Sequence, residues 1–220
     1  MRPEGLSTAG RDAFETHSPL PASATADFAH WGELLVKWNR KINLVAPSTL
    51  GDYWIRHALD SAQTTRFIPQ DARRIVDFGS GAGFPGLAFA IDAKHGNMDR
   101  EVHLIESAGK KASFLRTVIR ELGLEAVVHN DRIETIAPLG ADIISARAFA
   151  PLSRLLPMAA RHLAQDGQLV LLKGSASDTE LEEASQVWHF DAVTHPSVTD
   201  AGGSVVVMSG VSRRPSQCFT

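Results

Sequence analysis

Between two apolar runs the chain carries its strongest chemical signal: Asp77-Phe78-Gly79-Ser80-Gly81-Ala82-Gly83-Phe84-Pro85-Gly86, with glycines at alternate positions behind an acid. Glycine lets backbone turn sharply and approach a ligand closely, and this density exceeds what a tight turn needs. Two frames fit. Gly81 to Gly86 is a literal G-x-G-x-x-G, the dinucleotide fingerprint, and Glu106 stands 20 residues beyond Gly86, where such a fold places its ribose acid. That frame predicts a nicotinamide-dependent oxidoreductase, but it leaves Asp77 without a role and begins two residues late if Gly79 ends the strand. The other frame starts at Asp77 and reads acid-x-G-x-G-x-G. A carboxylate such as Glu106 suits a ribose because it accepts two hydroxyls without donating; a solvated strand-end acid is the plain alternative. Other reactive types form no constellation. Ser80 has no base nearby, and the nine histidines show no metal-ligand spacing. His57 and Asp60, three apart, read as a lock of a helix onto the sheet rather than a dyad.

The elements that position these residues follow from periodicity. Phe28, Trp31, Leu34, Leu35 and Trp38 recur at three and four residues, predicting an amphipathic helix from about Asp27. A second short helix is expected around 53–65. Strands are expected at 75–78, 102–105, 126–129, 141–146 and 168–172, and helices at 85–91, 109–122, 151–164 and 178–188. Strands alternating with helices imply right-handed crossovers and a mostly parallel sheet. Two closing strands, 189–198 and 204–211, suggest a hairpin through Ala201-Gly202-Gly203 and one antiparallel edge. The expected division is a flexible lead-in over 1–25, a helical extension over 26–70 and an α/β domain over 71–220.

The 220 residues, 44% hydrophobic and 21% charged, suit one compact domain with a small extension. Cys218 is the one cysteine, so no disulfide framework or multi-thiolate zinc site is expected. No apolar run approaches a membrane span, and no signal peptide is legible, so cytoplasm is the expected compartment. The net charge of −3 argues against a protein coated in positive charge, yet leaves room for a local basic face.

The Asp77 frame resembles the first motif of Rossmann-like class I methyltransferases, in which the loop wraps the methionine part of S-adenosylmethionine and Glu106 grips the ribose. Further motifs narrow the resemblance. Trp38-Asn39-Arg40-Lys41-Ile42-Asn43-Leu44-Val45, Arg56-His57-Ala58-Leu59-Asp60-Ser61, Ser107-Ala108-Gly109-Lys110-Lys111, Ala146-Arg147-Ala148-Phe149-Ala150-Pro151-Leu152 and Leu172-Lys173-Gly174 resemble the RsmG (GidB) family of 16S ribosomal RNA guanine-N7 methyltransferases. The resemblance implies a seven-stranded, mostly parallel sheet with helices on both faces and an N-terminal helical extension. It implies S-adenosylmethionine as cofactor, and 16S rRNA in the small subunit or an assembly intermediate as substrate, with no membrane and no obligate protein partner. Carried over by position, the family's cofactor contacts fall on Gly79, Phe84, Ile133, Glu134 and Arg147; the methyltransferase motif itself adds Asp77, Gly81, Gly83 and Glu106 to the expected cofactor set. A methyltransferase on a non-RNA substrate and a catalytically dead RNA binder remain alternatives.

Guanine N7 holds an exposed lone pair and has no proton to lose, so no general base is expected. Arg132, Arg147 and Lys173 stand at the ends of the third, fourth and fifth strands and are expected to face one crevice. They would orient the RNA through phosphate or guanine O6 contacts; strand-end solubility charge is the plain alternative. Lys110, Lys111, Arg116 and Arg120 form a basic helix face, and Arg213 with Arg214 a basic tail; both are as readily solvated charge.

Overall fold

The computed structural model describes residues 6–215; Cys218 lies outside them. Seven strands form one sheet: β1 (Arg74–Phe78), β2 (Glu101–Ile105), β3 (Ala126–His129), β4 (Ala141–Arg147), β5 (Leu163–Lys173), β6 (Trp188–Pro196) and β7 (Ser204–Arg213), in the order β3-β2-β1-β4-β5-β7-β6. The first five pair in parallel, and β7 runs antiparallel between β5 and β6. The hairpin expected at the end is therefore folded back: its second strand joins the sheet and its first forms the edge. Val205 and Val206 are buried, which fits an inner strand. Strand order reverses between β1 and β4, the switch point where open sheets leave a crevice at their carboxyl ends.

Helices α4 (Gly86–Gly96) and α5 (Gly109–Leu122) cover one face, α6 (Leu152–His162) and α7 (Ser177–Ser185) the other. On the α4/α5 face lies the N-terminal region: α1 (Arg11–His17), α2 (Ala24–Asn39), then a continuous coil of a 3-10 turn (Pro47–Asp52), a π turn (Tyr53–Leu59), the short α3 (Asp60–Ala62) and a second 3-10 turn (Gln63–Phe67). Expected strands and helices agree with these to within five residues at each end, except at the chain's start and over 53–65, where the expected helix is a run of π and 3-10 turns around α3. Over the described residues the expected flexible lead-in is corrected: α1 packs Phe14 against Phe28 and Trp54 at ring distances of 4.8 and 5.2 Å, and Trp54 Nε1 donates to the Ser7 carbonyl. One buried aromatic in a polar stretch gives no period, so pattern reading passes over it. Among the described residues, no helix is long and apolar enough to cross a membrane.

Candidate cofactor and substrate site

The glycine loop is shaped from both ends. Gly79, Gly81 and Gly83 all have positive φ, at 65°, 56° and 98°, a region that costs other residues about 1–2 kcal/mol each. Their surroundings differ. A Cβ on Gly79 would strike the Phe149 ring and one on Gly83 the Leu87 side chain, whereas one on Gly81 would meet only the Gly79 carbonyl at 3.7 Å. Two glycines permit close packing; the middle one faces open space.

Asp77 is fully buried at the end of β1. Its Oδ1 accepts a 2.6 Å hydrogen bond from Ser145 Oγ on β4, and its carboxyl lies against Gly86 at the start of α4. Burial pushes its pKa up to about 6, despite the opposing bond from Ser145 and the nearness of the Ser80 hydroxyl and Gly86 N–H. The acid expected among ligand contacts thus works from behind the loop, tying β1, β4 and α4 together. Glu106, at the end of β2, is nearly buried; its two oxygens accept from Gly81 N–H at 2.9 Å and Ala108 N–H at 2.7 Å. The carboxylate expected to meet a ribose is already oriented, and bonded to the glycine that faces open space.

Phe84 does not project from the loop. Its ring is sandwiched between Trp31 of α2, 4.4 Å away, and His57, 5.0 Å away. Trp31 Nε1 donates to the Ala82 carbonyl, so α2 holds the loop by ring and by hydrogen bond. Arg147, at the end of β4, lies 5.4 Å over the same Phe84 ring. Its Nη2 sits 2.9 Å from His57 Nδ1, and its Nη1 lies 3.1 Å from Asp60 Oδ2, near enough for an ion pair though not aligned as a hydrogen bond. Since guanidinium only donates, His57 Nδ1 accepts, which leaves Nε2–H to donate to Thr49 Oγ1 at 2.9 Å. Burial, then Arg147 and Arg56, lower the His57 pKa to about 3. Asp60 Oδ1 in turn accepts from Thr199 and Gln63. His57 and Asp60 do lock the N-terminal coil onto the sheet, as expected. What sequence reading missed is that the lock closes on Arg147.

Beside this cluster, at the ends of β4 and β5, opens a cavity of about 880 Å³ lined by Arg147, Phe149, Lys173 and Glu180 among others. Lys173 Nζ pairs with Glu180 Oε2 at 2.8 Å. Arg132 is not there. Its side chain is 75% exposed and pairs with Glu134 at 3.4 Å, so the expectation that Arg132, Arg147 and Lys173 share one crevice holds for two of them. Two strands separate the end of β3 from the cavity, and the turn after β3 carries Arg132 outward. Ile133 is buried in a 3-10 turn beneath that loop, whereas Glu134 is exposed. Lys110, Arg116 and Arg120 are exposed on α5, while Arg214 is structural, donating to the Ser185 and Trp188 carbonyls. Among the described residues, no group of three or more His, Cys, Asp or Glu could hold a metal.

A seven-stranded sheet with β7 reversed, a triple-glycine bend after β1 and an acid at the end of β2 define a Rossmann-like methyltransferase. The fold is similar to that of a SAM-dependent methyltransferase from Aquifex aeolicus, with a TM-score of 0.53 at 15% identity, covering 68% of this chain and 89% of that one. The family model for rRNA small subunit methyltransferase G matches residues 24–206. The ribosomal RNA small subunit methyltransferase G of Paramagnetospirillum magneticum is 48% identical over 187 residues, 85% of this chain and 89% of its own. That of Rhodospirillum centenum is 44% identical over 216 residues, 92% and 98% of the two chains. The chain belongs to the rRNA small subunit methyltransferase G family, which decides between the two frames of the glycine loop in favour of the one beginning at Asp77.

Proposed function

We propose that the chain transfers a methyl group from S-adenosylmethionine to N7 of one guanine in 16S ribosomal RNA, presented in the small subunit or an assembly intermediate in the cytoplasm. One observation carries the cofactor reading: Gly81 faces open space while its N–H is bonded to a nearly buried Glu106. Loop and acid thus form one cradle that a side chain at position 81 would fill. In this reading Gly79, Gly81 and Gly83 give backbone approach to the methionine part and Glu106 accepts from the ribose hydroxyls. Buried Ile133 walls the adenine. Glu134 reaches the adenine only after leaving Arg132, and Asp77 and Phe84 act by fixing the loop.

S-adenosylmethionine supplies an electrophilic methyl on a sulfonium. The chain's own residues then have to align N7 with it. No side chain need remove a proton, and His57, the imidazole against Phe84 and Arg147, is in keeping with this: both its nitrogens are engaged and its pKa is too low for it to act as a base near neutrality. Arg147 and Lys173 offer positive charge beside the cavity for phosphate or guanine O6. Arg132 and the exposed cations of α5 provide more remote backbone contacts, which would position the RNA without reading its sequence. Titration calorimetry tests the cofactor reading: S-adenosylmethionine is expected to bind and NADH not to. Binding of NADH alone would overturn it.

A further inference from the structure

The cavity at the ends of β4 and β5, at about 880 Å³, is ample for a nucleotide, and two features of its wall reach beyond the cofactor site. The first is the turn between β4 and α6. Ala148 has a φ of +49°, a conformation uncommon for a side chain other than glycine, and such outliers cluster at ligand sites. The residue it presents is Phe149. That ring packs on Gly79, stands edge-on to Phe78 at 5.9 Å, and also lines the cavity while remaining partly exposed. A partly exposed aromatic in a cavity of mixed apolar and charged lining suits the stacking of a base withdrawn from its helix.

The second feature is Glu180, which enters the cavity wall from α7. Its Oε2 accepts both the Leu152 N–H at 2.9 Å and Lys173 Nζ at 2.8 Å. Among the described residues nothing donates to Oε1. Burial pushes this carboxyl up, but Lys173 and the Leu152 N–H outweigh it and hold the pKa below the usual range. The wall therefore carries an ionised carboxylate with one oxygen anchored and the other open. The edge of guanine opposite N7 carries two donors, N1–H and the exocyclic amine. Adenine presents an acceptor there, which a carboxylate disfavours.

We infer that the acceptor guanine is drawn into this cavity, stacked on Phe149, with its exocyclic amine donating to Glu180 Oε1, so that Glu180 selects guanine over adenine. This rests on the methyltransferase reading above and adds the residues that choose the base. Holding the edge opposite N7 leaves N7 directed back toward the glycine loop.

Glu180→Gln tests the assignment with little change of shape. Lys173 and Leu152 both donate to one oxygen, so the amide turns its carbonyl to them and places its NH2 where Oε1 was. An acceptor facing the base becomes a donor. Single-turnover methyl transfer is measured on small-subunit rRNA carrying either guanine or inosine at the acceptor position; inosine lacks the exocyclic amine and keeps N7 and O6. With the unaltered protein, inosine is expected to slow transfer on the order of tenfold to a hundredfold. With Glu180→Gln, the guanine rate falls by a similar factor and the difference between the two RNAs collapses. An inosine penalty of equal size in both proteins overturns the assignment. Calorimetry is expected to give unchanged S-adenosylmethionine affinity for Glu180→Gln; lost affinity would put Glu180 in support of the cofactor and also overturn it. Phe149→Leu is expected to lower kcat/KM for both RNAs equally, and an unchanged kcat/KM would remove the stacking platform. An unaltered protein that methylates no RNA would overturn the methyltransferase reading itself.

Discussion

Arg147 is held by His57, Asp60 and the face of Phe84, and its charge is thereby fixed at the mouth of the cavity. A lysine keeps the charge but cannot engage His57 and Asp60 together. Arg147→Lys is expected to lower kcat/KM for methyl transfer at least on the order of tenfold. It should cost about 1–2 kcal/mol in urea unfolding, because Asp60 loses part of its compensation. Unchanged kinetics would show the guanidinium to be only a strut. Asp77 gives a pH signature. Its folded pKa of about 6 lies above its unfolded value, so its contribution to stability is fully present below about pH 4 and is lost as pH rises through 6. Asp77→Asn removes that dependence. From pH 4 to 7 the variant's unfolding free energy should rise relative to the unaltered protein by up to roughly 3 kcal/mol; a relative fall, in urea melts across that range, would contradict the burial argument. At this scale the sequence points to candidate residues more readily than to what they touch. Glu106 and the glycines were legible because chain-local spacing defines them. The partners of Arg147 lie up to 90 residues away, and Glu180 sits in an ordinary acidic helix, so neither leaves a local trace. Arg132 was misplaced because a strand end does not reveal which way the following turn points.

The glycine loop and the α2 helix act as one element. Trp31 stacks on Phe84 and bonds Ala82, so the loop is braced from outside the sheet. The three glycines separate function from packing. Gly81→Ala places its methyl in open space, so it should cost only about 1 kcal/mol of stability, from the left-handed backbone alone, while weakening S-adenosylmethionine binding on the order of tenfold or more in calorimetry. Gly83→Ala adds overlap with Leu87 to the same backbone cost and should melt lower than Gly81→Ala. If Gly81→Ala binds the cofactor normally, the open space over Gly81 is not the site. Helix and strand positions were legible wherever apolar period and length agreed, as in α5 and β4. The order of the last two strands was not, because a hairpin's own sequence does not say which strand joins the sheet.

Two cores on opposite faces of the sheet make the domain, and the N-terminal coil belongs to the larger of them. Phe14 is the clearest case: α1 contributes one buried ring between Phe28 and Trp54. Phe14→Ala should cost about 3–5 kcal/mol in urea unfolding yet leave cofactor affinity unaltered in the folded fraction; a loss below 1 kcal/mol would mean that α1 is dispensable. The net charge of −3 does not conflict with an RNA substrate, because the positive groups stand locally, at the cavity and along α5. Family membership was legible from separate motifs in order, whereas the way the N-terminal coil braces the site appears only once the chain is folded. The most direct test of the whole account is to supply purified protein with methyl-labelled S-adenosylmethionine and unmodified small ribosomal subunits, then map the label. N7-methylguanine at one position of 16S rRNA is the expected product; label absent from that RNA, or carried on another atom, would overturn the proposed function.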